Sequence, residues 1–250
     1  MRAAFSVLQR HLTVFRRTWW SNVMFNFIEP FLYLAAMGFG LGSFVQEMDG
    51  MSYIQYIAPG MVASSGMWAA TFECTYGSFI RLHMQKTFHA MLVTPTTVAD
   101  IVAGEVMFAL VKSVLFGIVI LIIITLLGQV QSYWALLIPA FLVLPGVVFA
   151  FLAMAYTGMI SRIDYLNYYI TLFITPLYLF SGVFFPVSSM PVWAQLLAWA
   201  NPLYHSVQVC RALAIGNVSS VLWGHIISLL CFAILLAFLP VRFLKKRLIH

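Results

Sequence analysis

The chain has 250 residues, of which 63% are hydrophobic and only 8% are charged. Soluble domains carry about 25% charged residues, so this composition excludes an ordinary soluble protein and indicates an integral membrane protein. The formal net charge of +6 would suggest a nucleic-acid partner in a soluble protein. In a membrane protein the positions of the basic residues carry the information instead, and we expect membrane lipids and no nucleic acid as partners.

The apolar stretches predict a single all-α membrane domain over residues 1–250 with six transmembrane helices. Two stretches, residues 113–161 and 165–210, contain no Asp, Glu, Lys or Arg. The first is long enough for two spans of roughly 20 residues joined by a tight turn. The predicted spans cover residues 23–44, 54–80, 98–127, 133–160, 165–184 and 220–243. No internal repeat is visible in the sequence, which argues against a carrier built from inverted repeats.

The basic residues favour one orientation of these spans. Four of them precede the first span, four close the chain, and three more fall in the second and fourth connections. Cytoplasmic connections of membrane proteins are enriched in Lys and Arg. The sequence therefore predicts that both termini lie in the cytoplasm.

The N-terminal segment, residues 3–21, has the periodicity of an amphipathic helix. Its apolar residues recur at spacings of three and four: Phe5, Leu8, Leu12, Phe15 and Trp19. Such a helix lies in the membrane interface with its apolar side down. We expect it to precede the first span as a separate element; the alternative is a basic tail that only sets the topology.

The connection after the second span contains another amphipathic pattern, over residues 81–92. Ile80, Met84, Phe88 and Met91 form an apolar stripe, and Pro95 ends the segment. This pattern predicts a short helix that a partner protein could contact, or alternatively a loop helix bound to the interface. The candidate partner-contacting residues are Arg81, His83, Met84, Gln85, Lys86, Phe88 and His89. Thr97 and Asp100 then predict the cap of the next helix.

Four ionisable residues fall within predicted spans, namely Glu29, Glu73, Glu105 and Lys112. Charges inside a bilayer cost free energy and indicate function by default. Glu73 and Glu105 lie about seven residues, or roughly 10 Å, from the inner ends of neighbouring spans. We expect these charges to line an inward cavity or to form an interhelical pair; for the two glutamates, snorkelling to the interface is the alternative.

Residues 178–211 break the apolar pattern with prolines but without charge. A proline removes a backbone donor and clashes with the preceding turn, so this stretch does not form one continuous span. We expect the chain to leave and re-enter the membrane through a hairpin of short helices at about 185–205, or to form an ordinary aromatic-rich outer loop. The candidate outer-gate residues are Pro186, Pro191, Trp193, Pro202, His205 and Arg211. His205 and Arg211 are expected to meet an anionic head group or to anchor the chain at the interface.

Several kinds of chemistry are missing from the sequence. No lysine follows a glycine, so the chain contains no GxxxxGK[ST] phosphate loop, and no histidine precedes a glutamate, which excludes HExxH. The three cysteines are widely spaced, which predicts buried apolar thiols rather than a disulfide or a metal site. A stand-alone channel or ion-driven carrier would show a dense set of membrane carboxylates or an internal repeat. The sequence contains neither, which disfavours both alternatives. We therefore expect neither an enzyme nor a bound metal or cofactor.

The segments FSGVFFP, MPVW and NPLYHSVQVCR in residues 178–211 resemble the C-terminal signature of permease subunits of the type-2 ABC transporter family. Within that family they look most like permeases that export lipo-oligosaccharides. The stretch LVTPTTVADIVAGE is similar to the family sequence that follows its coupling helix. The resemblance covers nearly the whole chain.

The resemblance implies a homodimer that assembles with two ATP-binding subunits in a bacterial inner membrane. Residues 3–21 would be the elbow helix, residues 81–92 the coupling helix, and ATP and Mg²⁺ would bind the partner subunits. The cargo implied is an amphiphilic, lipid-linked saccharide exported from the cytoplasm or inner leaflet; the alternative is a drug or other small molecule.

Overall fold

The computed structural model describes residues 2–249 except Gln46 and Asp49. Within this range, the side chains of residues 20–27, 29, 30, 39, 43 and 249 lie outside the described part. This places Glu29, one of the four predicted intramembrane charges, beyond what the structure describes.

The described residues form helices joined by short irregular connections, without a β-strand. The α-helices are α1 (Arg2–Ala35), α2 (Tyr53–Phe72), α3 (Thr87–Leu92), α4 (Val98–Leu126), α5 (Ile138–Phe141), α6 (Val143–Met159), α7 (Asp164–Tyr168), α8 (Thr175–Leu179), α9 (Val192–Trp199), α10 (Pro202–Ile215), α11 (Val221–Leu236) and α12 (Leu239–Ile249). The all-α fold class predicted from the sequence is confirmed.

Three apolar helical stretches of the described part are long enough to cross a membrane: Val98–Leu126, Tyr133–Met159 and Val221–Leu248. The first two match predicted spans closely, and the third extends past the predicted end at residue 243. Helix α4 begins with the predicted cap, since Thr97 Oγ1 accepts from the Asp100 main-chain N–H at 3.2 Å while Asp100 Oδ2 accepts from the Thr97 N–H at 3.1 Å. This capping box fixes the N-terminus of the central helix.

The remaining predicted spans differ from the helices observed. Helix α1 runs from Arg2 to Ala35 and thereby joins the predicted elbow helix to the first span, because residues 3–29 contain neither Pro nor Gly to end a helix. Residues 164–179 form α7, a π-helical segment and α8 rather than one regular helix, with Pro176 in the first turn of α8.

The core lies where α2, α4 and α6 meet. Helix α4 packs against α1, α2 and α6, while α12 lies against α6 and α10 contacts both α2 and α11. The end of the molecule that carries α3 is called the α3 end below. The opposite end contains the first residues of α2, where Arg211 of α10 bonds to the Tyr56 and Gly182 carbonyls.

Gly104 allows α1 to lie close to α4. A Cβ atom at this position would fall 2.5 Å from Val7 Cβ and 3.0 Å from the Ala4 carbonyl oxygen. We expect Gly104→Ala to destabilise the protein by about 1–3 kcal/mol through overpacking, measured as a lower unfolding midpoint in detergent. Gly224→Ala is the matched control, since its added Cβ meets no neighbouring side chain or other helix within 4 Å; equal midpoints for the two variants would contradict the prediction.

Candidate functional site: a buried charge cluster

Five titratable side chains meet near the α3 end and are called the buried charge cluster: His11, Glu73, Arg81, Glu105 and Lys112. Helix α1 supplies His11, and α4 supplies Glu105 and Lys112. Glu73 and Arg81 lie in two π-helical segments, Glu73–Gly77 and Ile80–Met84, that continue α2. Such wide turns inside helices are frequent at functional sites.

Glu73 bridges two cations. Its Oε1 accepts from Arg81 Nη2 at 2.6 Å, and its Oε2 accepts from Lys112 Nζ at 2.6 Å. Gly77 leaves the room for this arrangement, because a Cβ there would lie 2.7 Å from Glu73 Oε1. The sequence left open whether Lys112 lines a cavity or forms an interhelical pair. In the structure it does both, since it pairs with Glu73 and also lines a cavity.

Glu105 is fully buried and surrounded by donors. It accepts from Arg81 Nε at 3.0 Å, from Ser78 Oγ at 2.8 Å and from Arg81 Nη2. His11 Nε2 lies 2.9 Å from Glu105 Oε1. Both glutamates are paired in the interior instead of extending to an interface, since buried charges are tolerated only with partners.

Arg81 holds the cluster together, because its guanidinium contacts both carboxylates. Burial lowers the pKa of Arg81, but the carboxylates of Glu105 and Glu73 raise it by more, so this pKa lies above its ordinary value. The guanidinium therefore stays protonated. Arg81 and Lys112 together balance the charges of the two glutamates.

An open cavity of about 420 Å³ lies beside the cluster between α1, α4 and the end of α2. One wall is aromatic: Lys112 Nζ lies 5.5 Å from the Phe15 ring centroid and 5.3 Å from that of Phe108, and His11 stacks on Phe108 at 5.1 Å. The cavity is lined by Arg10, His11, Val14, Phe15, Thr18, Glu73, Gly77, Ile80, Arg81, Gln85, Phe108 and Lys112.

Neither His11 nor Ser78 had a role predicted from the sequence. A signal for His11 was present, because it lies three residues after Leu8 and four before Phe15, on the apolar face of its helix. A titratable residue on that face needs a polar partner, which Glu105 supplies. Nothing in the sequence distinguished Ser78 from a serine that bonds only to its own helix.

The predicted partner-contacting residues differ in burial. The predicted single helix over residues 81–92 is interrupted at Lys86, whose φ of 54° is left-handed, and α3 begins at Thr87. Arg81 points into the charge cluster, and Phe88 is fully buried in the core. Met84, Gln85, Lys86 and His89 are exposed. Burial and the charges of Arg247 and Lys86 lower the pKa of the half-buried His83.

The predicted outer-gate residues are placed by α9 and α10. Each of the three prolines stands at the start of a helical turn: Pro186 before a 3-10 turn, Pro191 before α9, and Pro202 as the first residue of α10. Trp193 is exposed and its ring contacts Phe180. Helix α10 continues to Ile215, ten residues past the end of the predicted hairpin.

His205 and Arg211 are buried, which corrects both interface locations considered for them. Arg211 donates from Nη2 to the Gly182 carbonyl at 2.8 Å and from Nε to the Tyr56 carbonyl at 3.2 Å, and its guanidinium lies 3.8 Å from the Tyr56 ring centroid. His205 Nδ1 lies 2.8 Å from His225 Nδ1, and its Nε2 lies 3.0 Å from the Trp199 carbonyl oxygen. Both side chains join helices to one another.

The cysteines are unbonded thiols in the structure. Cys74 and Cys210 are buried, as the sequence predicts, whereas Cys231 on α11 is exposed. Helix α11 presents much of its surface away from the core. The Cys231 thiol is therefore exposed on that surface rather than packed in the interior.

Long apolar helices and a paired charge cluster in the helical interior define a polytopic membrane protein. The model of the ABC-2 type transporter family matches residues 2–215, and the chain belongs to this family. It is therefore a membrane permease, the transport component of such a system.

Curated relatives match over most of the chain. Nodulation protein J of Rhizobium meliloti (strain 1021) is 36% identical over 97% of this chain and 93% of its own length. Nodulation protein J of Rhizobium leguminosarum bv. viciae is 37% identical over 98% and 95%, respectively. The inner membrane transport permease YadH of Escherichia coli (strain K12) is 26% identical over 82% and 80%.

Proposed function

We propose that the chain is the permease subunit of an ATP-driven exporter, in which two copies assemble with two ATP-binding subunits in a bacterial inner membrane. The sequence contains no phosphate loop, so ATP and Mg²⁺ bind the partner subunits. Family membership and the similarity to an inner membrane permease support this assignment. Six spans with both termini in the cytoplasm are part of the proposal, supported by the basic residues at the two chain ends.

The α3 end is the docking surface for the ATP-binding subunit in this proposal. Met84, Gln85, Lys86 and His89 are exposed there and surround the break between the π-helical segment and α3. This segment acts as the coupling helix, and the N-terminal part of α1 acts as the elbow. The exposed residues offer a partner apolar, polar and cationic contacts within one short stretch.

The observation that carries the proposed mechanism is the position of Arg81. It lies three residues before Met84 on the docking surface, yet its guanidinium binds Glu73 and, on α4, Glu105. A displacement of the docking segment therefore reaches α4 through ion pairs rather than through a flexible loop. ATP drives transport by this route only if the two states of the permease bind the ATP-loaded partner with different affinity.

The proposed cargo is an amphiphile such as a lipid-linked oligosaccharide. The support is the resemblance of residues 178–211 to permeases of lipo-oligosaccharide exporters. Transport by the reconstituted complex would be measured in parallel with a fluorescent glycolipid and a hydrophobic dye. Export of the dye alone would refute the glycolipid assignment and favour a drug exporter.

The assembly is tested by the intact mass of the complex after gentle extraction from cells that co-express a partner ATPase. Two copies of this chain with two ATPases are expected. A partner-free monomer, under conditions that preserve a related complex, would refute the docking argument.

Met84→Asp is expected to weaken ATPase binding about tenfold or more, because it places a charge at an apolar contact in the proposed interface. Met84 is 63% exposed, so the substitution does not disturb the core. Co-purification of the ATPase measures the effect. Met159→Asp is the matched control, since Met159 is 58% exposed at the end of α6 outside the docking segment; equal losses in both variants would refute this location.

A further inference from the structure

The cavity beside the buried charge cluster has the chemistry of a binding site. Three cations reach its walls, Arg10, Arg81 and Lys112, whereas Glu73 is the one carboxylate there and Glu105 lies behind it. Three cations against two carboxylates leave one positive charge. Arg10 is exposed and makes no ion pair with any described residue, so that charge is available at the rim.

Arg81 adds a second donor. Its Nε and Nη2 are bonded to the carboxylates, while Nη1 makes no hydrogen bond to any residue that the structure describes. The side chain remains 13% exposed. A guanidinium with one unbonded nitrogen in an open cavity is well suited to a phosphate or carboxylate oxygen.

The walls also contain an apolar part. Val14, Phe15, Ile80 and Phe108 line the cavity beside the cations. A soluble anion would gain no binding energy from the apolar walls, and a purely apolar ligand would gain none from the cations.

The cavity extends along the axis of α4. Gln85 marks the α3 end, whereas Lys112 is fourteen residues into α4, or roughly 21 Å at 1.5 Å per residue. A charged group at that depth is costly without a function. The cavity thus connects the α3 end of the bundle with the middle of its central helix.

We propose that this cavity binds the anionic head group of an amphiphile from the membrane leaflet at the α3 end. The head group bonds to Arg10 and to Arg81 Nη1, and the apolar wall formed by Val14, Phe15, Ile80 and Phe108 receives the start of the acyl chains. The proposal concerns binding by this chain alone. It is tested without ATP or partner, so its failure is distinguishable from a failure of the proposed export function.

The test is a titration of the purified full chain in a neutral detergent, with native mass spectrometry as the measure of bound ligand. Dioctanoyl phosphatidylglycerol serves as the anionic probe, dioctanoyl phosphatidylcholine as the zwitterionic one, and inorganic phosphate as the soluble anion. We expect one equivalent of phosphatidylglycerol to bind at least tenfold more tightly than either of the others. Equal affinity for the two lipids would overturn the proposal, and phosphate binding as tight as phosphatidylglycerol would reduce the site to one for soluble anions.

Two pairs of variants locate the site. Arg10→Gln is expected to weaken phosphatidylglycerol binding about tenfold, whereas Arg16→Gln, an exposed arginine on another face of α1, leaves it unchanged. Val14→Trp fills the cavity and is expected to weaken binding similarly, whereas Thr13→Trp does not, because Thr13 lies outside the lining. All four positions are exposed or at the rim, so folding is retained. Equal effects within either pair would overturn the location.

Discussion

Replacing Arg81 with Leu is expected to destabilise the protein by about 3–5 kcal/mol, because it leaves two buried carboxylates without their shared partner. Glu105 is fully buried and Glu73 is 6% exposed, so neither gains compensating hydration. The expected result is a large loss of monodisperse protein after extraction and a lower unfolding midpoint. Arg81→Lys should be intermediate, since an ammonium does not bridge two carboxylates as a guanidinium does.

Arg162→Leu is the control for this effect. Arg162 is 72% exposed and forms its ion pair with Asp164 at the surface, where such pairs contribute about 0–1 kcal/mol. The double variant Arg81→Leu with Glu105→Gln should recover part of the lost stability by removing one uncompensated charge. If Arg81→Leu and Arg162→Leu unfold at the same midpoint, the cluster does not stabilise the fold.

Replacing Lys112 with Met is expected to impair transport at least about tenfold while the complex still assembles. The substitution removes a charge-assisted hydrogen bond worth roughly 1.5–3 kcal/mol and one cation of the cavity. Assembly survives because Arg81 still pairs with both glutamates and Met occupies a volume similar to that of the lysine stem. The measurement is ATP-driven transport by the reconstituted complex, with the glycolipid and the dye assayed side by side.

Lys112→Arg retains the charge and should keep most of the transport activity. Lys246→Met removes an exposed cation of α12 and serves as the control for net charge. Unchanged transport in Lys112→Met would exclude this residue from the pathway. Loss of assembly instead of transport would make its role structural.

The parts of the fold that the sequence predicts well depend on local patterns. The span over residues 98–127 matches α4, and the Thr97–Asp100 cap is confirmed, because both follow from apolar length and from a three-residue spacing. The prolines of residues 186–202 likewise begin helical elements where the absence of a backbone donor predicts a break.

The parts that the sequence predicts poorly depend on contacts between distant residues. Arg81 looks like a surface residue of an amphipathic helix, but its partner Glu105 is 24 positions away. Arg211 and His205 likewise look like interface anchors in the sequence. Their partners in the structure are main-chain carbonyls and a histidine of another helix. Periodicity cannot reveal such partners, since it reports only which face of a helix is apolar.

The contact between His205 and His225 fixes which nitrogens of both rings carry hydrogen. The Trp199 carbonyl only accepts, so the neutral His205 ring carries its hydrogen on Nε2 and offers the lone pair of Nδ1. His225 must then be the Nδ1–H tautomer, the less common form of a free histidine side chain, to donate across the 2.8 Å separation. Two Nδ1–H groups cannot face each other at this distance. The junction of α10 and α11 therefore tolerates at most one imidazolium, and nitrogen NMR shifts of the two rings should be unequal.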